Sequence, residues 1–202
     1  MYIPSYFQET DQQKLIEFMH ANSFATLVSS ENNYMCATHL PFVVEQREDK
    51  LYLISHMAKA NPQWKAFTGN ESLIIFQGPH GYISPTHYEK KQNVPTWNYI
   101  AVHAYGIVKC IEEQTAAIHV LEKTIFNYEA SFYKQWKELS PDYKTNMVKG
   151  IVAFEVEVLK LEGKYKLSQN KTKTEQQNIV TDFEKSSDSR QLQISEEMKK
   201  KL

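Results

Sequence analysis

Two cysteines and six glycines in a chain of 202 residues exclude several chemistries at once. Cys36 and Cys110 stand far apart, each within an apolar run, so neither a disulfide framework nor a CxxC metal or redox motif is available. Both read as small core residues. The glycines form neither GxGxxG nor GxxxxGKS/T, which removes the Rossmann and P-loop readings. No apolar run approaches the span of a bilayer, and Met1 to Phe7 lack the basic region and apolar core of a signal peptide, so a cytoplasmic location is expected. An excess of one charge is missing too. With 23 Lys and Arg against 24 Asp and Glu, the net charge of −1 argues against a nucleic-acid binder that works through a general positive field.

What is present is an ordinary globular composition, 42% hydrophobic and 23% charged, in a length that suits one domain with or without an appendage. The charge is uneven along the chain. Residues 1–163 hold 14 basic against 18 acidic side chains, and residues 164–202 hold 9 against 6.

Leu15, Ile16, Phe18 and Met19 recur at helical spacing behind Asp11, which predicts a short N-capped helix. Three antiparallel strands are expected over Phe24 to Ser29, Met35 to Val44 and Leu51 to His56, separated by Ser30-Glu31-Asn32-Asn33 and by Glu45 to Lys50. Asn61 and Pro62 open a helical turn. Further strands are predicted at Ser72 to Gln77 and at Trp97 to Ile111, the latter bending at Gly106. Helices are expected over Glu112 to Tyr128 and after Ser140-Pro141, then a half-buried strand from Ile151 to Leu161. Beyond Gly163 the composition turns polar, yet Ile179, Val180, Phe183, Leu192, Ile194 and Met198 remain spaced for two small packed helices. Antiparallel strands without regular crossover helices point to a closed or partly split barrel.

Polar and aromatic groups crowd into Ser55 to Trp64, Phe76 to Tyr88 and Val94 to Tyr99, the mixture that holds a flat, phosphorylated, hydrogen-bonding ligand. Two readings of the first stretch stand. Lys59 and the helix-start amides meet a phosphate, or Lys59 is a solvated loop lysine with Asn61 as a cap and Trp64 as a core anchor. His39, His56, His80, His87 and His103 match no zinc template, and Ser84 lacks a GxSxG elbow, so neither a metal site nor a nucleophilic triad is read. Gln77-Gly78 and Trp97-Asn98-Tyr99 place amides beside aromatic faces, suited to the edge and face of a heterocycle.

These residues resemble the PaiB family, bacterial FMN-binding negative transcriptional regulators with the split-barrel fold of pyridoxamine-phosphate-oxidase-like flavoproteins. The likeness is carried by Met1-Tyr2-Ile3-Pro4 with Tyr6-Phe7, Ala37 to Pro41, His56 to Trp64, Phe76 and Gly78-Pro79-His80 with Tyr82 to Pro85, Val94 to Tyr99, and Lys166 to Lys171. The resemblance implies a split antiparallel barrel over residues 1–163 and a C-terminal helical extension over 164–202. It implies a homodimer that holds FMN near the subunit interface. His56, Lys59 and Asn61 would lie near the phosphate, with Ser55 and Ala58 offering further donors. Gln77, Gly78, Trp97, Asn98 and Tyr99 would face the isoalloxazine, and Lys166, Ser168 and Gln169 would complete either set. DNA is the implied partner, although no helix-turn-helix is visible and the basic excess is confined to the tail. Split-barrel relatives also include oxidases, flavin reductases and haem-degrading proteins, so a flavin-dependent oxidoreductase or haem-handling enzyme on the same fold is the alternative.

Overall fold

The computed structural model describes residues 1–31, 34–67 and 69–202. In chain order the elements are β1 (Gln8–Glu9), α1 (Gln12–Ala21), β2 (Phe24–Glu31), β3 (Tyr34–Pro41), β4 (Val43–Arg47), β5 (Lys50–Ala58), β6 (Glu71–Ile83), β7 (Thr96–Ile111), α2 (Gln114–Glu129), α3 (Tyr133–Glu138), α4 (Pro141–Lys149), β8 (Ile151–Lys166), α5 (Lys173–Phe183) and α6 (Ser189–Lys199). The eight strands form one sheet in the order β3-β2-β6-β7-β8-β5-β4, with β1 also paired to β8. The order does not return on itself, and the architecture is that of a split barrel. Among the described residues no helix is long and apolar enough to cross a membrane.

Several expected elements form as read. Asp11 caps α1 by accepting from Gln13 N at 3.0 Å, and Ser140 caps α4. Others run differently. The stretch expected as one strand from Met35 to Val44 is two, broken at Phe42, whose fully buried side chain belongs to the core. The turn placed at Asn32-Asn33 lies outside the described residues. Cys36, expected in the core, is exposed, because β3 is a terminal strand of the sheet; Cys110 is half-buried.

The chain forms two compact units. One comprises Met1–Leu15, Gln77–Val102 and Glu162–Leu202; the other comprises Ile16–Phe76 and His103–Leu161. In the second, antiparallel pairing joins β2 to β3, β4 to β5 and β5 to β8, the last running from Tyr52 opposite Glu157 to Ala58 opposite Ile151. Phe42, Phe76 and Phe154 are fully buried and meet ring to ring, and α2 lays Ala117 and Val120 on Ile54 and Ala153. Burial of this kind stabilises by about 25 cal/mol per Å² of apolar surface. On the face of β8 opposite Phe154, the one that carries Ala153, Glu155 and Glu157 are held across strands by Arg47 at 2.8 Å and Lys50 at 2.6 Å.

In the first unit, β1 pairs with β8 at Gln8 opposite Lys164, and the tail forms α5 and α6, which bury Ile179, Val180, Phe183, Ile194 and Met198. Thr172 and Glu175 close a capping box on α5. Strand β6 extends six residues past Gln77, through a Gly-Pro-His-Gly stretch that the sequence presents as a loop. Tertiary packing overrides the local preference there: a Cβ on Gly81 would stand 2.9 Å from the Phe183 ring, so the helical tail needs this strand to be bare.

Gly106, expected to bend β7, has a different reason to lack a side chain. A Cβ there would come within 2.2 Å of the Glu157 carbonyl oxygen on β8, a backbone atom that cannot step aside. Gly106→Ala is therefore expected to cost about 3 kcal/mol. That corresponds to a thermal midpoint lower by roughly 6–12 °C, read by calorimetry, and an unchanged midpoint would contradict the close approach.

Candidate functional site

The loop that follows β5 is built from the inside outwards. Gln63, 3% exposed, shares its Nε2 among the Leu27 carbonyl, Ser29 Oγ and the Cys36 carbonyl at 3.1–3.2 Å, and its Oε1 accepts from Thr38 Oγ1. Asn61 caps the 3-10 turn Pro62–Ala66 by accepting from Gln63 N at 3.0 Å, and its Nδ2 donates to Thr38 Oγ1 at 2.9 Å. The backbone of Lys59 is pinned at both ends, its N–H on the Gly150 carbonyl at 2.8 Å and its carbonyl under Trp64 Nε1 at 3.1 Å. Asn61 N–H is likewise spent, on the Ala58 carbonyl. The backbone amides of Lys59, Asn61 and Gln63 are thus used inside the protein, and what the loop offers outwards is the exposed Lys59 ammonium, which has no carboxylate partner among the described residues. Lys59 and Trp64 stand at a cleft of about 360 Å³ whose apolar wall is made by Ile111, Val148 and Ala153.

The rest of this stretch divides by strand parity. Ser55 is 1% exposed and donates Oγ to the Pro41 carbonyl at 2.7 Å, so its hydroxyl supports β5 from within. His56, the next residue, lies opposite Ala153; its Nδ1 is buried with no hydrogen-bond partner, and burial holds the imidazole below its ordinary pKa, hence neutral near pH 7. Ala58 is exposed.

The remaining sequence candidates all lie in the unit that contains the tail. Trp97 is 52% exposed, and Tyr82 and His80 of β6 flank it at ring separations of 5.9 Å and 6.1 Å. Gln77 is exposed, and Gly78 and Tyr99 are half-buried, with Lys164 Nζ over the Tyr99 ring at 5.3 Å. Asn98 and Ser168 differ from expectation. Both are buried, and Asn98 Nδ2 donates to Ser168 Oγ at 3.0 Å, so their polar groups satisfy each other. Gln169 folds onto its own backbone, accepting from Leu167 N and donating to the Tyr165 carbonyl. Lys166 donates to Thr96 Oγ1 and to the Trp97 carbonyl, and desolvation, with Lys164 nearby, lowers its pKa.

Two further groups in this unit lie in the run from His80 to Tyr88. His80 Nδ1 and the Tyr88 hydroxyl are buried and have no hydrogen-bond partner among the described residues, and burial, with the Glu175 carboxylate, raises the Tyr88 pKa. Among the described residues no three His, Cys, Asp or Glu side chains converge as a metal site.

A family model described as "Putative FMN-binding domain" matches residues 1–160. The Bacillus subtilis "Protease synthase and sporulation protein PAI 2" is 38% identical over 207 residues, covering 100% of this chain and 98% of that protein. An Emericella nidulans protein is 30% identical over 187 residues, 73% of this chain and 74% of its own. Among solved structures, the flavocytochrome Anf3 of Azotobacter vinelandii superposes with a TM-score of 0.62 at 15% identity, over 81% of this chain and 72% of that one. The FAD and heme binding protein of Mycobacterium smegmatis gives 0.59 at 15% identity, over 79% and 73%. At such identities the structural likeness is one of fold.

The state of His56 has a measurable consequence. Its pKa is lowered in the fold, so the stability it contributes is fully present above the ordinary imidazole value of about 6.5 and is lost as pH falls below it, when the unfolded chain takes the proton first. Urea midpoints measured from about pH 7.5 to 5.5 should fall less steeply in His56→Gln than in the parent. Equal slopes would show that His56 is not held neutral.

Proposed function

The chain belongs to the FMN-binding family that includes PAI 2 of Bacillus subtilis, and from that membership we propose that it is a PaiB-type regulator in which Lys59 meets the phosphate of FMN. The single observation that carries the reading is Lys59, a cation whose backbone is fixed on both sides while its ammonium has no carboxylate partner among the described residues. A phosphate monoester bears about −1.5 to −2 charges at neutral pH, which fits that group. The half-exposed Trp97, with Gln77, Gly78 and Tyr99 as its companions, offers an aromatic face and polar edges to a flat ring. His56 supplies an unsatisfied ring nitrogen. Bound FMN supplies one- and two-electron transfer; the residues named here bind and orient it.

The functional form is a homodimer. Terminal strand β3 leaves Tyr34 and Met35 at 81% and 72% exposure at one end of the β2–β3 pair, and Phe24, opposite Pro41 at the other end, is 66% exposed, apolar side chains that a second copy would cover. Phosphate and ring contacts need not then come from one copy. Sedimentation equilibrium should give twice the chain mass of 23.6 kDa, and a monomer at micromolar concentration would exclude this arrangement.

One observation favours a second reading. Four of the nine cations of the tail are already paired with carboxylates: Arg190 with Asp188, Lys199 with Glu184, Lys200 with Glu197 and Lys201 with Glu9, while Lys171 bonds Asn93. Those four are already engaged and less available to a phosphate backbone, which shifts weight to chemistry at the flavin itself. Steady NAD(P)H oxidation above that of free FMN would establish the enzyme; its absence would return the case to regulation.

Lys59→Met should weaken FMN about ten- to a hundredfold by flavin-fluorescence titration, as a charge-assisted bond is lost, and leave riboflavin binding unchanged. Equal FMN affinity in parent and variant would overturn the assignment of Lys59.

A further inference from the structure

Trp97 is held in place by parts of the chain far away in sequence. After β8 the backbone turns at Ser168, which adopts a left-handed φ of 63°, a conformation that non-glycine residues occupy at a cost unless their surroundings fix it. Here the surroundings do. Gln169 closes the turn on Leu167 N and the Tyr165 carbonyl, and Lys171 N–H donates to the Ser168 carbonyl at 2.9 Å. The turn in turn grips three consecutive residues at the start of β7. Lys166 Nζ takes the Thr96 hydroxyl and the Trp97 carbonyl, and Ser168 takes the Asn98 amide. From α6, Met198 Sδ stands 3.5 Å from Asn98 Nδ2, and both residues are buried to 1% exposure or less. Between these fastened neighbours the Trp97 indole projects, half exposed.

This arrangement spends the polar groups of Lys166 and Ser168 on protein atoms. A hydroxyl that accepts from Asn98 Nδ2 and donates back to Asn98 Oδ1 at 3.1 Å, inside a buried site, has spent its one proton within the protein. We propose that Lys166 and Ser168 are positioning residues which set the pose of Trp97, and that α6, through Met198 on Asn98, makes the C-terminal extension a control element for the ring end of the flavin site. The purpose assigned to the clamp rests on the flavin reading of Trp97 given above; the clamp itself does not.

The test uses full-length protein labelled with 5-fluorotryptophan, in which Trp64, Trp97 and Trp136 give three ¹⁹F resonances, that of Trp97 assigned by its loss in Trp97→Phe. Ser168→Gly removes the hydroxyl while keeping a residue that tolerates the left-handed backbone, and Lys166→Met removes the ammonium at similar length. Without FMN, each variant should shift or broaden the Trp97 line and leave the Trp64 and Trp136 lines in place; Met198→Ala should move the same line. At saturating FMN, the residual flavin fluorescence should rise in each variant as the indole leaves the ring. A merely structural role would move all three lines together. An unmoved Trp97 line in Ser168→Gly overturns the proposal, even if FMN affinity drops, because the hydroxyl would then act on the ligand directly. Should Lys166→Met unfold, Ser168→Gly decides. If the parent shows no FMN quenching while its Trp97 line still responds to the substitutions, the clamp stands and the flavin reading fails.

Discussion

The buried carboxamide of Gln63 is the contact on which the Lys59 loop depends. It reaches both strands of the β2–β3 hairpin, touching Leu27 and Ser29 on one and Cys36 and Thr38 on the other, and so ties the turn after β5 to a scaffold already set by strand pairing. A buried polar group left unmet costs about 1–3 kcal/mol, so the loop has one low-energy position. Asn61 then caps the turn, Trp64 reaches back to the Lys59 carbonyl, and Gly150 takes the Lys59 N–H. What emerges is a preorganised cation, and preorganisation is what spares a binding site the entropy of ordering it on contact.

The opposite electrostatic arrangement prevails elsewhere. Arg47 lies between Glu45 and Glu155, Lys123 also reaches Glu45, and Arg190, Lys199, Lys200 and Lys201 of the tail are matched with acids. Most of these pairs are solvent-exposed and contribute little stability each. Their effect is on recognition: they cancel the field that a nucleic acid would feel and leave local features such as Lys59 and Trp97 to define what the surface attracts.

Much of the fold was legible in the sequence because period and capping chemistry report directly on local structure. Asp11, Ser140 and the spaced apolar residues of the tail behave as read. The errors have one physical origin, dependence on partners remote in the chain. Phe42 breaks a strand because the Phe76 and Phe154 rings await it; β6 outruns its expected end because Phe183 needs Gly81; Gly106 answers to the Glu157 carbonyl. At the candidate site Asn61 is legible as a cap, and Ser55, Asn98 and Ser168, polar in sequence, bond the Pro41 carbonyl and one another. Polarity says that a side chain needs a partner; only the three-dimensional register says whether the partner is protein or ligand. Conversely, His80 and Tyr88 gain interest only through the lack of hydrogen-bond partners that the structure reveals.

The account rests on a phosphate meeting the Lys59 ammonium, and ³¹P NMR of protein-bound FMN reads that contact directly. A free phosphate monoester takes up a proton near pH 6. Held against Lys59, the bound phosphate should remain dianionic with a flat chemical shift from about pH 7.5 down to 5.5, and should regain a titration near 6 in Lys59→Met. A bound phosphate that titrates near 6 in the parent, or one whose profile is the same with and without the Lys59 ammonium, would contradict it.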